Sequence, residues 1–185
     1  MIRYMTAALA ATALLACGDG KKDDEGHDDD SLAAMAVDSS TMTTASAAMR
    51  GPTGADLGSL TLTEQAGAIA ISGTLRGIAP GEHGIHLHMV GRCEPPFESA
   101  GEHWNPASRK HGLDNTEGPH NGDLPNITAS NDSTVTVQLS TPPATLGDLM
   151  DADGAALVIH AMRDDQRTDP AGGSGDRIAC GAVTR

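Results

Sequence analysis

What most limits how this chain can fold is its punctuation. Short runs with β character, Ser46–Met49, Gly58–Thr63, Ala68–Leu75, His83–Val90, Thr134–Leu139, Ala155–His160 and Ile178–Val183, are separated by Gly, Pro and Asp clusters such as Gly51-Pro52 and Pro80-Gly81. Nowhere among them does a long helical apolar pattern develop. Strands this short, at this spacing, predict an all-β domain built as an antiparallel sandwich or barrel. The 22 glycines and 10 prolines suit its turns, and with one Trp, one Tyr and one Phe its core must be aliphatic.

Two stretches interrupt the rhythm. Gly91–Asn126 and Met162–Asp176 are too long for turns, and loops of that length in a compact domain usually carry function. Of eight histidines, seven lie between positions 83 and 160. In Gly84-Ile85-His86-Leu87-His88 the alternation of a strand puts His86 and His88 on one face and turns Leu87 into the core, which makes a two-nitrogen clamp on a rigid element. Such a pair alone is more often a surface or core feature than a metal site. The first long loop adds His103, His111 and His120, with Asp123 three residues beyond His120, and His160 ends Leu157-Val158-Ile159-His160. Imidazole nitrogen suits copper and zinc, and three imidazoles with one carboxylate suit tetrahedral zinc, so this inventory fits two metal sites.

The amino-terminal end reads as an export signal. Residues 1–16 place Arg3 ahead of an apolar run too short to span a bilayer, and small residues precede Cys17. Leu14-Leu15-Ala16-Cys17 resembles a bacterial lipobox, so Cys17 is expected to become a lipidated N-terminus that anchors an exported protein to a membrane of the cell envelope, with the domain in the periplasm. Residues 17–44, acidic and then rich in Ala, Ser and Thr, lack the pattern to bury a core and are expected to be a disordered tether to a domain over 45–185. His27 sits among the tether's carboxylates, and Met35, Met42 and Met49 recur every seven residues. Thioethers are soft ligands for Cu(I), but compositional accident is the plainer account. In an oxidising compartment the remaining cysteines, Cys93 and Cys180, are expected to pair and to close a loop of nearly the whole domain.

With 25 acidic and 12 basic residues the formal charge is -13, which argues against nucleic acid as a partner. The same excess poses a problem for any anionic substrate.

Seven segments in order carry a resemblance: Gly81-Glu82-His83-Gly84-Ile85-His86-Leu87-His88, Ser99-Ala100-Gly101-Glu102-His103-Trp104-Asn105-Pro106, Arg109-Lys110-His111-Gly112, His120-Asn121-Gly122-Asp123-Leu124-Pro125-Asn126, Val158-Ile159-His160, Asp164-Asp165 and Arg177-Ile178-Ala179-Cys180-Gly181. Together they resemble the copper-zinc superoxide dismutases, in the bacterial exported form, over about Ala45 to Val183. The resemblance implies an eight-stranded antiparallel Greek-key β-barrel with two long functional loops. It also implies one copper and one zinc ion per subunit, and dismutation of superoxide to dioxygen and hydrogen peroxide. By the same resemblance His86, His88, His103 and His160 would hold copper, and His103, His111, His120 and Asp123 would hold zinc, with His103 shared as a bridging imidazolate. Asp164 matches the carboxylate that links a copper histidine, His86, to a zinc histidine, His111, while Asp165 reads as a bystander. Arg177 matches the cation beside the open copper position; its local field would draw in superoxide despite the net charge. His83 is left out of the ligand set, as a packing and hydrogen-bonding residue.

The resemblance also has departures. The segment from His160 to Arg177 is short, and its charges do not reproduce the steering pattern of the eukaryotic enzymes; Arg163, Arg167 and Lys110 are candidates for that task by charge alone. Between Cys93 and His103 an insertion brings Pro95-Pro96-Phe97 into the subloop on which eukaryotic dimers are often built, so a homodimer is left open. Trp104 stands where Phe is commoner. The rival reading is a non-catalytic copper-binding or copper-transfer protein on the same fold, which would be expected to lack some of the six histidines, Asp123 or Arg177; all are present. A mononuclear zinc hydrolase would need a general-base Glu near a histidine pair, and none is suitably placed in sequence.

Overall fold

The computed structural model describes residues 43–185. The expected signal peptide, lipidation at Cys17, His27, Met35 and Met42 lie outside those residues. Among the described residues nine strands follow one another: β1 Thr44–Arg50, β2 Asp56–Gln65, β3 Ala68–Arg76, β4 Gly81–His83, β5 Ile85–His88, β6 Ile127–Ala129, β7 Thr134–Ser140, β8 Ala156–His160 and β9 Arg177–Thr184, with a short helix α1 at Leu146–Leu149.

Alternation of side chains sets the inner face. In β1, Ala45, Ala47 and Met49 are buried between exposed neighbours. Met49 therefore fills the core, and its thioether is not available to a metal-collecting series. Leu60 and Leu62 of β2, Ile69, Ile71 and Leu75 of β3, Val135 and Val137 of β7, and Leu157 and Ile159 of β8 complete an aliphatic core on which Trp104 packs. Burial of this apolar surface is the main favourable term holding the sheet closed.

All strand pairs are antiparallel. Seven strands form one sheet in the order β5-β8-β9-β1-β2-β3-β7, and β4 and β6 form a second. The expected single run His83–Val90 bends at Gly84, which separates β4 from β5; with the two halves counted as one strand the total is the expected eight. At the bend Gly84 N–H donates to the Met162 carbonyl (2.8 Å) and the Gly84 carbonyl accepts from His160 N–H (2.9 Å), so the backbone stays paired where it turns. β6 runs into β7 through a turn in which Ser130 N–H donates to the Thr134 carbonyl (2.9 Å). The small sheet thus leads from one edge strand of the large sheet, β5, to the other, β7, and the whole curls into a barrel.

Three connections are long: those from β5 to β6 and from β8 to β9, which have no strand of their own, and that from β7 to β8, which holds α1. Cys93 and Cys180 form a disulfide with a Cα–Cα distance of 5.6 Å across 87 residues, which pins the start of the first loop to β9. Closing a loop of that length is worth about 4 to 5 kcal/mol on the chain-entropy account. Around it Phe97, Ala100, Ala156, Val158 and Cys180 make a second, smaller apolar cluster.

Candidate metal centre

β5 supplies the floor. Its register on β8, His86 opposite Val158 and His88 opposite Ala156, sends Leu87 into the aliphatic core and leaves both histidines on the other face, fully buried under the first long loop. The loop is held there by a closed triangle of backbone hydrogen bonds. Leu87 N–H donates to the Gly122 carbonyl (2.9 Å), Gly122 N–H to the Trp104 carbonyl (2.8 Å) and Trp104 N–H to the Leu87 carbonyl (2.8 Å). Isolated bridges pair His86 with Asp123 and His88 with His103. Gly122 is required at its corner because a Cβ there would run into the Leu87 carbonyl. Leu87, Trp104 and Gly122 each adjoin residues of the histidine and aspartate cluster, so the triangle sets the spacing of that cluster.

One group comprises His86, His88, His103 and His160, each offering a ligand atom within 4.8 Å of the others. Buried polar atoms in folded proteins are nearly always paired, and an exception calls for a reason. Here His86 Nδ1, His88 Nε2, His103 Nε2 and His160 Nε2 are buried with no hydrogen-bond partner. Their opposite nitrogens are all engaged: His86 Nε2 on Asp164 Oδ2 (2.6 Å), His88 Nδ1 on the Gly101 carbonyl (2.9 Å), His160 Nδ1 on the Gly175 carbonyl (3.1 Å) and His103 Nδ1 at Asp123 Oδ1 (3.0 Å). For His86, His88 and His160, a donor on one side and a bare lone pair on the other is the state of an imidazole prepared for a metal ion.

The second group gathers on Asp123. Its Oδ1 lies 3.0 Å from His103 Nδ1, 2.9 Å from His111 Nδ1 and 3.3 Å from His120 Nδ1, and the His103 and His120 Nδ1 atoms are 3.4 Å apart. A tetrahedron with metal–ligand bonds of about 2.0 to 2.1 Å has edges of about 3.3 Å, so these atoms have nearly the separations zinc requires. His86 also lies within reach of His103, His111 and Asp123, but its Nε2 is taken by Asp164 and its unpartnered Nδ1 assigns it to the first group. Asp123 Oδ2 is fixed by Gly112 N–H (2.8 Å) and His120 N–H (2.9 Å).

Asp164 joins the two groups. Fully buried, it reaches His86 with Oδ2 and His111 Nε2 with Oδ1 (3.0 Å), and its backbone is anchored on Asn126. Gly172, at φ +61°, makes room for it, since a Cβ there would overlap the Asp164 carboxylate. Asp165 is exposed and accepts from Arg167 N–H and Thr168 N–H, a turn residue rather than a site residue. His83 is buried on the far side of the strand bend, with Nδ1 at the His160 carbonyl and Nε2 at the Ala79 carbonyl, both 2.8 Å, and is in neither group.

Electrostatics separate the rings of the metal-free chain. Burial pushes His86 down to about 3 against the opposing pull of Asp164, takes His160 down to about 4, and puts His88 well below its ordinary value. All three are neutral near pH 7, the form that binds metal. Burial also works against a charge on His111, but its two carboxylate partners outweigh it and raise the ring to about 9. Asp123 and Asp164 are held well below the usual carboxylate range by their histidine hydrogen bonds, despite the upward push of burial.

A cavity of about 300 Å³ opens onto His103, His120 and His160, with Arg109, Asp169 and Arg177 on its wall. Arg177 is held by two short bonds, Nη1 to the Phe97 carbonyl (2.7 Å) and Nη2 to the Gly101 carbonyl (2.8 Å), the same carbonyl that orients His88. The cations put forward by charge alone lie elsewhere. Arg163 pairs with Glu82 (3.3 Å), Arg167 with Asp114 (3.6 Å) and Lys110 with Asp169 (3.6 Å), and none of the three lines the cavity. Arg109, next to Lys110, does; its Nη1 donates to the Gly118 carbonyl (2.9 Å), a placement no charge pattern could have supplied.

A sequence profile of the copper/zinc superoxide dismutases (SODC) matches residues 57–183. The chain belongs to this family. The Cu-Zn superoxide dismutase of Caulobacter vibrioides is 40% identical over 147 residues, spanning 75% of this chain and 84% of that protein. Among solved structures, a SOD-like protein from Bacillus subtilis aligns with a TM-score of 0.71 at 35% identity, over 74% of this chain and 96% of that one. The Cu/Zn superoxide dismutase from Brucella abortus aligns at 0.65 and 27%, over 76% and 99%. As a copper/zinc superoxide dismutase the protein is an oxidoreductase with superoxide as substrate and copper and zinc as cofactors, and its buried histidine and aspartate groups fit those ions.

Proposed function

We propose that the two groups form one bimetallic centre, with copper on His86, His88, His103 and His160, zinc on His103, His111, His120 and Asp123, and His103 bridging them as an imidazolate. The observation that carries this reading is the set of four buried, unpartnered imidazole nitrogens, one of them on the ring whose other nitrogen already sits in the Asp123 group. Copper, when bound, would supply the one-electron couple for a dismutation in which two superoxides and two protons give dioxygen and hydrogen peroxide.

The remaining work is done by the chain. Arg177 cannot lose its charge, and its two carbonyl bonds leave it fixed with positive potential on the cavity wall, where a small anion is drawn and oriented. His103 Nε2 would hold and deliver one of the two protons that hydrogen peroxide requires, and solvent in the cavity would supply the other. Asp164 locks the tautomers of His86 and His111 so that neither ring turns when the charge at the centre changes. Every ligand comes from one chain, so the centre does not need a homodimer.

We further place the protein in the cell envelope, tethered through a lipid on Cys17. The lipobox-like segment and a disulfide suited to an oxidising compartment support this. Metal analysis of the purified domain alongside a cyanide-sensitive dismutase assay tests the centre. One copper and one zinc per chain with activity are expected; His103→Ala should lose zinc and decouple copper, while His83→Ala keeps both. A fully metallated but inactive protein would refute the reading. Cys17→Ala should move the protein from the membrane to the soluble fraction.

A further inference from the structure

We infer that Asp169 is the positioning carboxylate of His120 and closes the zinc group on its solvent side. This rests on the zinc assignment above. In that assignment every ligating imidazole except the bridge has one nitrogen left over, and metal-bound histidines characteristically donate it to an acceptor that fixes the ring. His86 and His111 use Asp164, His88 uses the Gly101 carbonyl, and His160 uses the Gly175 carbonyl. His120 is the remaining case, and the carboxylate facing its Nε2 is Asp169, with Oδ1 at 3.8 Å.

Asp169 is already tied to the same group from another side. Its Oδ1 accepts from His111 N–H at 2.8 Å, so it holds the backbone of one zinc histidine while facing the ring of another. It lies on the second long loop, five residues beyond Asp164, and lines the cavity beside His120. One loop therefore presents two carboxylates to the zinc group, Asp164 buried and Asp169 with its side chain 42% exposed. The 3.8 Å gap is longer than a hydrogen bond, and a small swing of this exposed side chain, or one water, spans it. Lys110 Nζ, 3.6 Å from Asp169 Oδ2, sits on the outer side of the carboxylate and leaves Oδ1 turned inward. Without Asp169, His120 has its free N–H in the open cavity and its ring loses the restraint that keeps Nδ1 on the metal.

The test is zinc release from the full-length, copper- and zinc-loaded protein to a chromophoric chelator, with cobalt(II) in the zinc site as a spectroscopic reporter. Asp169→Ala should release zinc about 10- to 100-fold faster, the range for loss of an outer-shell partner. It should also shift the cobalt visible bands with copper content unchanged, while the metal-free protein melts somewhat lower because the His111 N–H loses its acceptor. Asp169→Asn, which keeps an acceptor but no charge, should fall between Ala and wild type, and Lys110→Ala, which removes only the outer pair, should match wild type. Wild-type release from Asp169→Ala, or equal acceleration in Lys110→Ala, would overturn the inference. His120→Ala separates this from failure of the zinc assignment: if that variant holds zinc as tightly as wild type, the assignment itself is at fault.

Discussion

Replacing Gly122 by alanine should cost the protein both stability and metal, and by amounts that follow from the backbone triangle. The new Cβ would overlap the Leu87 carbonyl and lie 3.1 Å from Trp104 N. Both are backbone atoms, so no side-chain rotation relieves the contact; Gly122 must move away from β5. That movement stretches the bond from Leu87 N–H (2.9 Å) and the bond to Trp104 (2.8 Å), two of the three sides. Each of the two bonds, when stretched, leaves a buried group unpaired at about 1 to 3 kcal/mol, so a total of about 2 to 6 kcal/mol is expected.

Urea unfolding of the metal-free, disulfide-intact protein measures this. With a slope of about 2 kcal/mol/M, the midpoint should fall by about 1 to 3 M with the slope unchanged. Gly147→Ala is the control, because this exposed glycine of α1 has only Thr145 Oγ1 nearby, at 3.6 Å, and should stabilise slightly. Chelator competition is the second arm. His86, His88, His103 and Asp123 all adjoin the triangle, so copper and zinc should weaken together. A Gly122→Ala protein with a wild-type midpoint would refute the steric argument. One that is destabilised yet binds both metals normally would refute the claim that the triangle spaces the ligands.

Asp164→Asn keeps the side-chain shape but offers one acceptor to two imidazole N–H groups. Both metals should be retained about 10- to 100-fold less tightly against a chelator, and wild-type retention would count against the bridge. Arg177→Lys cannot satisfy the Phe97 and Gly101 carbonyls together. With the cation no longer fixed on the cavity wall, kcat/KM should fall at unchanged metal content, and an unchanged kcat/KM would exclude the fixed guanidinium from guiding the substrate. For the metal-free protein, stability should fall on both sides of about pH 6.5, the ordinary histidine value. Below it the unfolded chain takes up protons that folded His86 and His160, at about 3 and about 4, refuse. Further down, through the carboxylate range, the contribution of depressed Asp123 and Asp164 is lost as well. Above it the stabilisation from His111 is lost as pH rises toward its folded value of about 9. Urea midpoints that stay flat from about pH 5 to 8 would contradict this.

The strands, the two long loops and the Cys93–Cys180 pairing were legible in the sequence because each depends on residue type and count: alternation, Gly and Pro breaks, and a pair of cysteines within the domain. So were the residues gathered around His103, since few side chains other than imidazole and carboxylate can serve a metal. β6 and α1 were not legible. The first is three residues long and the second four, too short for a period to show, although Thr145 caps α1 by accepting from Asp148 N–H (3.0 Å). Nor could charge alone distinguish Arg109, on the cavity wall, from Lys110, turned outward to Asp169, because sign says nothing about direction. The candidate site residues are drawn from a narrow chemical alphabet, whereas much of what aligns them is carbonyl and amide, which nearly every residue carries: Gly101 and Gly175 for His88 and His160, Phe97 for Arg177, and the Leu87, Trp104 and Gly122 triangle. Such support leaves a trace only where a side chain would block it. Gly122 beside the Leu87 carbonyl and Gly172 beside Asp164 are those traces, and substitutions there should disturb the centre without removing a ligand.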